Sequence, residues 1–213
     1  MTRVQVWHNE ALGTDVCAAL RKNGFEAHYV ATGAEALELI ARSVKPGMTV
    51  GFGGSMSLKD MGAPERVRAL GAEVLDHDAP GINQEQELEL RRAQLTCDLF
   101  LSSSNAVTLD GEIVNVDGTG NRVAALAFGP KKTIVVVGSN KIVRNLNEAR
   151  DRIETTASPM NNKRLERPNP CVKAGTCQDC QGKTRICRVY QVLRRRPLHS
   201  DFTVIVVGEP LGY

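Results

Sequence analysis

The sequence predicts an α/β fold in three layers, with a mostly parallel sheet between two layers of helices. Three observations point to it. Short apolar runs alternate with stretches of helical period along most of the chain. The connections between them are a few residues long, as βα and αβ loops are. Ile134, Val135, Val136 and Val137 form an unbroken β-branched run, the pattern of a strand covered on both faces.

The elements follow in order. Leu12, Val16, Ala19 and Leu20 recur at helical spacing between Asn9 and Asn23, and Gly24 is placed to end that helix. Phe25 to Val30 alternates as a strand. Thr32 and Glu35 form a capping box for a helix that carries Ala36, Leu37, Leu39 and Ile40 and ends at Pro46-Gly47. Met48 to Phe52 is a buried strand running into glycines. Ser55–Met61 and Pro64–Leu70 read as short helices, and Ala72–Leu75 as a strand. After a loop from Asp76 to Gln84, a helix to Leu95 places Leu88 and Leu95 on one face. Asp98–Ser102 is a buried strand. Val107–Leu109 and Glu112–Val116, joined by Asp110-Gly111, form a hairpin. Arg122–Phe128 is a helix, Lys132–Gly138 the clearest strand, and Leu146–Thr155 a further helix. From Ala157 to Leu198 the pattern breaks into Pro, Asn, Cys and basic residues before Phe202–Val207 resumes as a strand. The expected organisation is an α/β domain over residues 1–156 and 199–213, with a Cys-rich basic insertion over 157–198 before the last strand.

At 213 residues the chain can bury one good-sized core. Aromatic residues make up 4%, too few for a base-stacking nucleic-acid surface, and no helix-turn-helix signal is present. No apolar run approaches the roughly 18 residues of a membrane span. The N-terminus lacks the apolar core and cleavage site of a secretory leader, so the expected location is cytoplasmic, with reduced thiols. Net charge is +3, but ten Lys and Arg against Glu166 and Asp179 lie between Asn161 and Ser200. Such a basic segment suits an anionic ligand or an acidic partner, or is a solvated loop.

Four of the six cysteines, Cys171, Cys177, Cys180 and Cys187, are spaced C-x5-C-x2-C-x6-C. Their density points to a metal centre, with two disulfides as the alternative. The spacing matches neither paired zinc ribbons nor the bacterial ferredoxin run, and four thiolates suit Zn²⁺ or a [4Fe–4S] cluster. Cys17 and Cys97 read as small buried hydrophobes.

Two glycine-rich loops follow strands: Gly51-Phe-Gly-Gly-Ser55 and Asp117-Gly-Thr-Gly-Asn-Arg122. Glycine lets backbone N–H groups approach an anion. The ligand-binding candidates are Gly51, Gly53, Gly54 and Ser55 with Gly118, Thr119, Gly120, Asn121 and Arg122, the last able to fork onto a carboxylate or phosphate. No Gly-Lys-Ser/Thr follows, so this is not a Walker loop. Lys59 is within a helical turn of Ser55. Asp110 reads as a turn residue, and His8, His28, His77 and His199 belong to no motif.

The Val50–Ser57 loop, Ser104-Asn-Ala-Val-Thr108 and Gly111–Val123 resemble the LUD domain, the lactate-utilisation family, over roughly Glu10–Gly212. The cysteine insertion is similar to that of a subset of members. The resemblance implies a fold related to ribose-phosphate isomerases, glucosamine-phosphate deaminases and CoA transferases, with ligands at the two loops and at Asn105. Isomerase relatives place an acidic residue near Asn105, and an amide cannot serve as a general base. No glutamate matches the CoA transferases' nucleophile; Glu112 is the nearest. What the resemblance implies is an accessory, electron-transfer-associated subunit in oxidation of L-lactate or a related 2-hydroxy acid. It would bind a small carboxylate or phosphate and a [4Fe–4S] cluster in preference to Zn²⁺. Iron–sulfur or oxidoreductase partner subunits are implied, and a homo-oligomer is left open. The alternatives are a stand-alone sugar-phosphate or acyl-CoA enzyme with structural zinc, and a non-catalytic ligand sensor.

Overall fold

The computed structural model describes all 213 residues. The chain begins with α1 (Arg3–Lys22), β1 (Glu26–Val30), α2 (Gly33–Ala41) and β2 (Thr49–Phe52). It continues through α3 (Met56–Asp60), α4 (Ala63–Ala69), β3 (Glu73–Leu75), α5 (Gln84–Ala93) and β4 (Leu99–Ser103). A hairpin of β5 (Ala106–Thr108) and β6 (Ile113–Asp117) leads to α6 (Asn121–Ala127) and β7 (Lys132–Gly138). Then come β8 (Ile142–Val143), α7 (Leu146–Arg152), α8 (Ser158–Arg164), α9 (Cys171–Ala174), β9 (Val189–Leu193) and β10 (Asp201–Val207).

Six strands form one wholly parallel sheet in the order β1-β10-β7-β4-β2-β3. The alternation along its strands divides the core. Val135 and Val137 of β7 join Phe100, Val204 and Val206 in a cluster with Val16, Cys17 and Leu20 of α1 and Ala125 and Leu126 of α6. Ile134 and Val136 point the other way, into a cluster with Val50, Leu101 and Ile205 and with Ala36, Ile40, Leu58 and Val67 of α2, α3 and α4. Both faces are covered, as the β-branched run requires. A second, mixed sheet, β8-β5-β6-β9, packs against α7 through Ala106, Val114, Val116, Ala149 and Ile153.

The three-layer expectation holds, with differences at particular elements. α1 starts six residues before Asn9, because Thr2 and Gln5 close a capping box. On α5 the core-facing residue is Leu90, followed just past its end by Leu95, while Leu88 is exposed. The helix expected to end near Thr155 passes through a π turn at Ile153–Ala157 into α8. Pro159 at its second position cannot donate a hydrogen bond back along the helix. The cysteine segment is less irregular than its composition suggests. Its β9 pairs antiparallel with β6 from Ile113–Leu193 to Asp117–Val189, so the segment completes the second sheet.

The hairpin turn is pinned against α1. Asn23 Nδ2 donates to the Asp110 and Gly111 carbonyls, and Gly111 has a φ of +75°. A Cβ there would lie 2.7 Å from the Ala19 carbonyl carbon. Gly47 has a φ of +78° with nothing within 4 Å. Gly111→Ala and Gly47→Ala therefore share a backbone penalty of ~1 kcal/mol. Gly111→Ala adds an overpacking cost of ~1–3 kcal/mol. Thermal unfolding should show the larger fall for Gly111→Ala by several degrees, at ~2–4 °C per kcal/mol for a chain this size. Equal falls would contradict the close approach.

Candidate functional site

A cleft of about 350 Å³ opens where β2, β4 and β7 end, the side of a parallel sheet on which ligands bind. Several parts of the chain supply it. After β2 come Gly53, Gly54 and Ser55; after β3, His77 and Asp78; after β4, Ser104 and Asn105. The exit of β6 gives Asp117, Gly118, Thr119, Asn121 and Arg122, and the turn after β7 gives Lys141. The π turn and α8 close one side with Ala157, Ser158, Asn161 and Arg164.

Eight of the ten residues expected from the two loops and Asn105 meet here: Gly53, Gly54, Ser55, Asn105, Gly118, Thr119, Asn121 and Arg122. Gly51 and Gly120 stand apart. A Cβ on Gly51 would lie 3.0 Å from Gln94 Cγ, so this glycine lets the core close, and Gly120 turns the chain into α6. The helices after the loops have five and seven residues, too short to contribute much dipole. What the loops offer is free backbone: the N–H groups of Gly54, Ser55, Gly118 and Thr119 make no hydrogen bond within the chain.

Arg122 has a different role from an open fork. Its Nε donates to Asp117 Oδ1 at 2.9 Å. Its Nη1 donates to the Ser103 carbonyl and to Asn115 Oδ1, and its Nη2 to Asn105 Oδ1 and the Val116 carbonyl. All five N–H groups are engaged. Asp117, 7% exposed at its side chain, also accepts from the Val123 N–H. Asn105 thus serves as an acceptor that ties the β4 exit to Arg122. The guanidinium lends the cleft charge, and hydrogen bonds to a ligand must come from other groups.

Other cations line the cleft. Arg91 pairs with Glu87, and Lys59 with Asp78. Arg164 donates to Asn161 and the Tyr213 hydroxyl and has no carboxylate partner. Arg167 and Lys141 also line the cleft without forming an ion pair. Lys141 is 4% exposed, and its Nζ donates to Ser57 Oγ at 2.8 Å and Ser103 Oγ at 3.0 Å. Burial, and then the charges of Arg152 and Arg122, push its pKa down to about 7. Lys141 was not singled out from sequence, because an isolated Lys in Gly-Ser-Asn-Lys looks like a loop cation. The one signal was its place directly after the most apolar strand.

His77 was likewise set aside as a histidine in no motif, and it lines the cleft 7% exposed. Gln94 Nε2 donates to the Phe52 and Leu75 carbonyls. His77 Nδ1 lies 3.2 Å from Gln94 Oε1 and 2.9 Å from Gln94 Nε2, and the ring's Nε2 faces Asp78 Oδ1 at 3.7 Å. Burial lowers the pKa of His77.

The four clustered cysteines line one small cavity. Asp179, with a φ of +40°, turns the Cys177–Cys180 pair and directs its N–H at Cys177 Sγ, 3.4 Å away. Arg185 holds the loop by donating to the Cys180 and Cys187 carbonyls. Burial raises the pKa of Cys171, and the other three sulfurs add to the shift by repulsion. A cation would relieve that repulsion, and an N–H on a sulfur favours thiolate, so the donor set fits a thiolate-bound metal. No three His, Cys, Asp or Glu side chains are drawn together closely enough to hold an ion as they stand. The enclosed space, about 20 Å³, has room for one ion. A cubane would require outward movement of the loop, whose Gln178, Asp179, Gln181, Gly182 and Lys183 are exposed. Cys17 and Cys97 are buried in the main core as expected, their thiols pushed up to about 11.

A parallel sheet with a polar, cationic cleft at its carboxyl edge defines an α/β fold with a candidate ligand site. The sequence model of the LUD domain family matches residues 14–207, and the chain belongs to that family. Among solved structures, it is similar to a DUF162 family protein from Deinococcus radiodurans, with a TM-score of 0.51 and 16% identity. That likeness covers 97% of this chain and 99% of the other. No curated protein matches. No helix is long and apolar enough to cross a membrane.

Removing Arg122 leaves Asp117 charged, buried and unpaired, which costs ~3–5 kcal/mol. Arg122→Ala should lower urea-unfolding stability by that amount. Arg122→Lys should recover less than half, since three donors cannot replace a five-donor fork. Full rescue by Lys would contradict the bracing role.

Lys141 gives a pH signature. Its pKa is lower folded than unfolded, so between pH ~7 and ~10.5 the unfolded chain binds the extra proton. Stability should rise with pH across that window, by at most ~1.4 kcal/mol per pH unit. Below it the full cost of burying the charge is present. Denaturation midpoints measured from pH 6.5 to 8.5, below the range in which the raised Cys17 and Cys97 thiols act in the opposite sense, should show this rise in the native chain and lose it in Lys141→Met.

Proposed function

We propose that the chain is an electron-transfer-associated subunit in oxidation of L-lactate or a related 2-hydroxy acid. It binds the carboxylate in the cleft and a [4Fe–4S] cluster on Cys171, Cys177, Cys180 and Cys187. The observation that carries this reading is a shared wall: Ser158 and Ile186 line both the cleft and the cysteine cavity. A ligand in one lies a single layer of side chains from a centre in the other. When bound, the cluster supplies one-electron transfer, and onward transfer requires iron–sulfur or oxidoreductase partner subunits.

The chain's own residues do the binding. The free N–H groups of Gly54, Ser55, Gly118 and Thr119 form the anion cradle. Arg164 and Arg167 neutralise the ligand, and Arg122 and Asp117 hold the two loops at a fixed separation. The His77 ring, with Nε2 beside Asp78, is the group placed to exchange a proton with a ligand. Membership of the LUD domain family supports the substrate class. A phosphate would suit the same cations, and that is the stand-alone sugar-phosphate alternative.

Protein purified without oxygen should contain iron and sulfide in equal amounts, with a broad absorbance that bleaches on reduction. One zinc and no iron would overturn the electron-transfer reading and make the cysteines a structural clip. Titration calorimetry should show L-lactate or pyruvate binding in preference to phosphosugars. Arg164→Gln with Arg167→Gln should weaken that binding ~10-fold, or ~1.4 kcal/mol. Unchanged affinity would move the anion elsewhere.

A further inference from the structure

We infer that Lys141 is a carbonyl-reactive amine, and that the cleft captures a small 2-oxo acid as a covalent imine on its Nζ. This rests on the reading of the cleft as an anion site. The geometry favours a neutral amine with its lone pair unoccupied. A neutral amine has two N–H groups, and Ser57 Oγ and Ser103 Oγ accept them at 2.8 and 3.0 Å. The serines' own protons have carbonyls to go to: Ser57 donates to Leu211 and Ser103 to Ser104. No carboxylate forms an ion pair with Nζ; Asp60 acts on it only at longer range, while Arg152 and Arg122 repel its charge. A lysine desolvated beside other cations is the activated form of an amine nucleophile. Each serine has a carbonyl acceptor independent of the lysine, and an apolar side chain at this position would avoid burying the amine.

A 2-oxo acid joins the two chemistries the cleft offers. Its carboxylate suits the free N–H cradle and the unpaired Arg164, and its adjacent carbonyl carbon is the electrophile. The nitrogen lone pair attacks that carbon, and the C=O π pair moves to oxygen. The oxygen takes the two amine protons in turn and leaves as water as the C=N bond forms. No oxidant or reductant enters the step. A 2-oxo acid is also the product of 2-hydroxy-acid oxidation, so the imine holds that product.

The test is reductive trapping. The full chain is incubated at pH 7 with pyruvate and sodium cyanoborohydride, then analysed by intact mass and peptide mapping. One reduced adduct per chain on the peptide containing Lys141 is expected. It should form ~100-fold faster than on exposed lysines such as Lys22, Lys45 and Lys173. Lys141→Met should abolish it; because mapping is done on the unmodified sequence, the result does not depend on that variant folding. Adducts spread evenly over surface lysines would overturn the inference. Pyruvate binding by calorimetry without a Lys141 adduct would overturn the amine role alone and leave the anion site standing. Neither binding nor adduct would overturn both. Trapping of dihydroxyacetone phosphate but not pyruvate would keep the reactive amine and replace the carboxylate with a phosphate.

Discussion

The guanidinium of Arg122 is the interaction on which the site depends. Its five N–H groups bind the exit of β4 at Ser103 and Asn105, the interior of β6 at Asn115 and Val116, and the carboxylate of Asp117. These belong to two different sheets. The chain crosses between them at Ser104, and Val107 and Ile113 of the second sheet also pack into the core with Val135 and Val137. Ser104 Oγ donates to the Ala106 and Val114 carbonyls and fixes that crossing locally. A planar five-donor fork can satisfy several acceptors in fixed directions, which a point charge cannot. Because Asp117 also accepts from the Val123 N–H, the same ion pair sets the start of α6 and the course of the second glycine loop.

With both loops held, the charge around the cleft divides into neutralised and open groups. Arg91, Lys59 and Arg122 face carboxylates, whereas Arg164 and Arg167 come from the basic segment that sequence composition singled out. The segment is bound into the fold at both ends. The π turn and α8 lead into it, and β9 ties its far end to β6. The cysteine loop is therefore suspended between two anchored points directly behind the cleft wall. Placement of a metal there would fix the positions of Ser158 and Ile186, so occupancy of the cysteines and shape of the ligand site are mechanically linked.

The parts of the fold legible in sequence were those with a strong local cause. Thr32 with Glu35, the Asp110-Gly111 turn and the Ile134–Val137 run each fix an element through its own hydrogen bonds or its burial. The parts not legible were settled by distant partners. β9 exposes Val189, Tyr190 and Val192 and exists because β6 offers an open edge. Leu90, not Leu88, faces inward because the core beneath α5 decides its rotation. In the site, glycine spacing found the two loops but not their division of labour. Sequence could suggest that Arg122 binds an anion; only the positions of Asn105, Asn115 and Asp117 show that its donors are already taken. Lys141 and His77 had no motif because their chemistry comes from desolvation, a property of the folded environment.

Two cations at one cleft are thus handled in opposite ways. The fold surrounds the Arg122 guanidinium with Asp117 and a ring of carbonyl and amide oxygens that hold its charge. Lys141 is given only two hydroxyls, which solvate an amine adequately and an ammonium poorly, and its pKa falls to about 7. The neighbouring guanidinium contributes to that fall, so the brace that shapes the cleft also helps keep the amine neutral. An anion entering the cleft would oppose the repulsion and draw Lys141 back towards its protonated form. Ligand charge and amine reactivity are therefore coupled through Arg122. A bound carboxylate favours proton uptake at Lys141 unless the nitrogen lone pair has first been engaged by a carbonyl carbon. On the proposed imine chemistry, the order of those two events would decide between reversible anion binding and covalent capture.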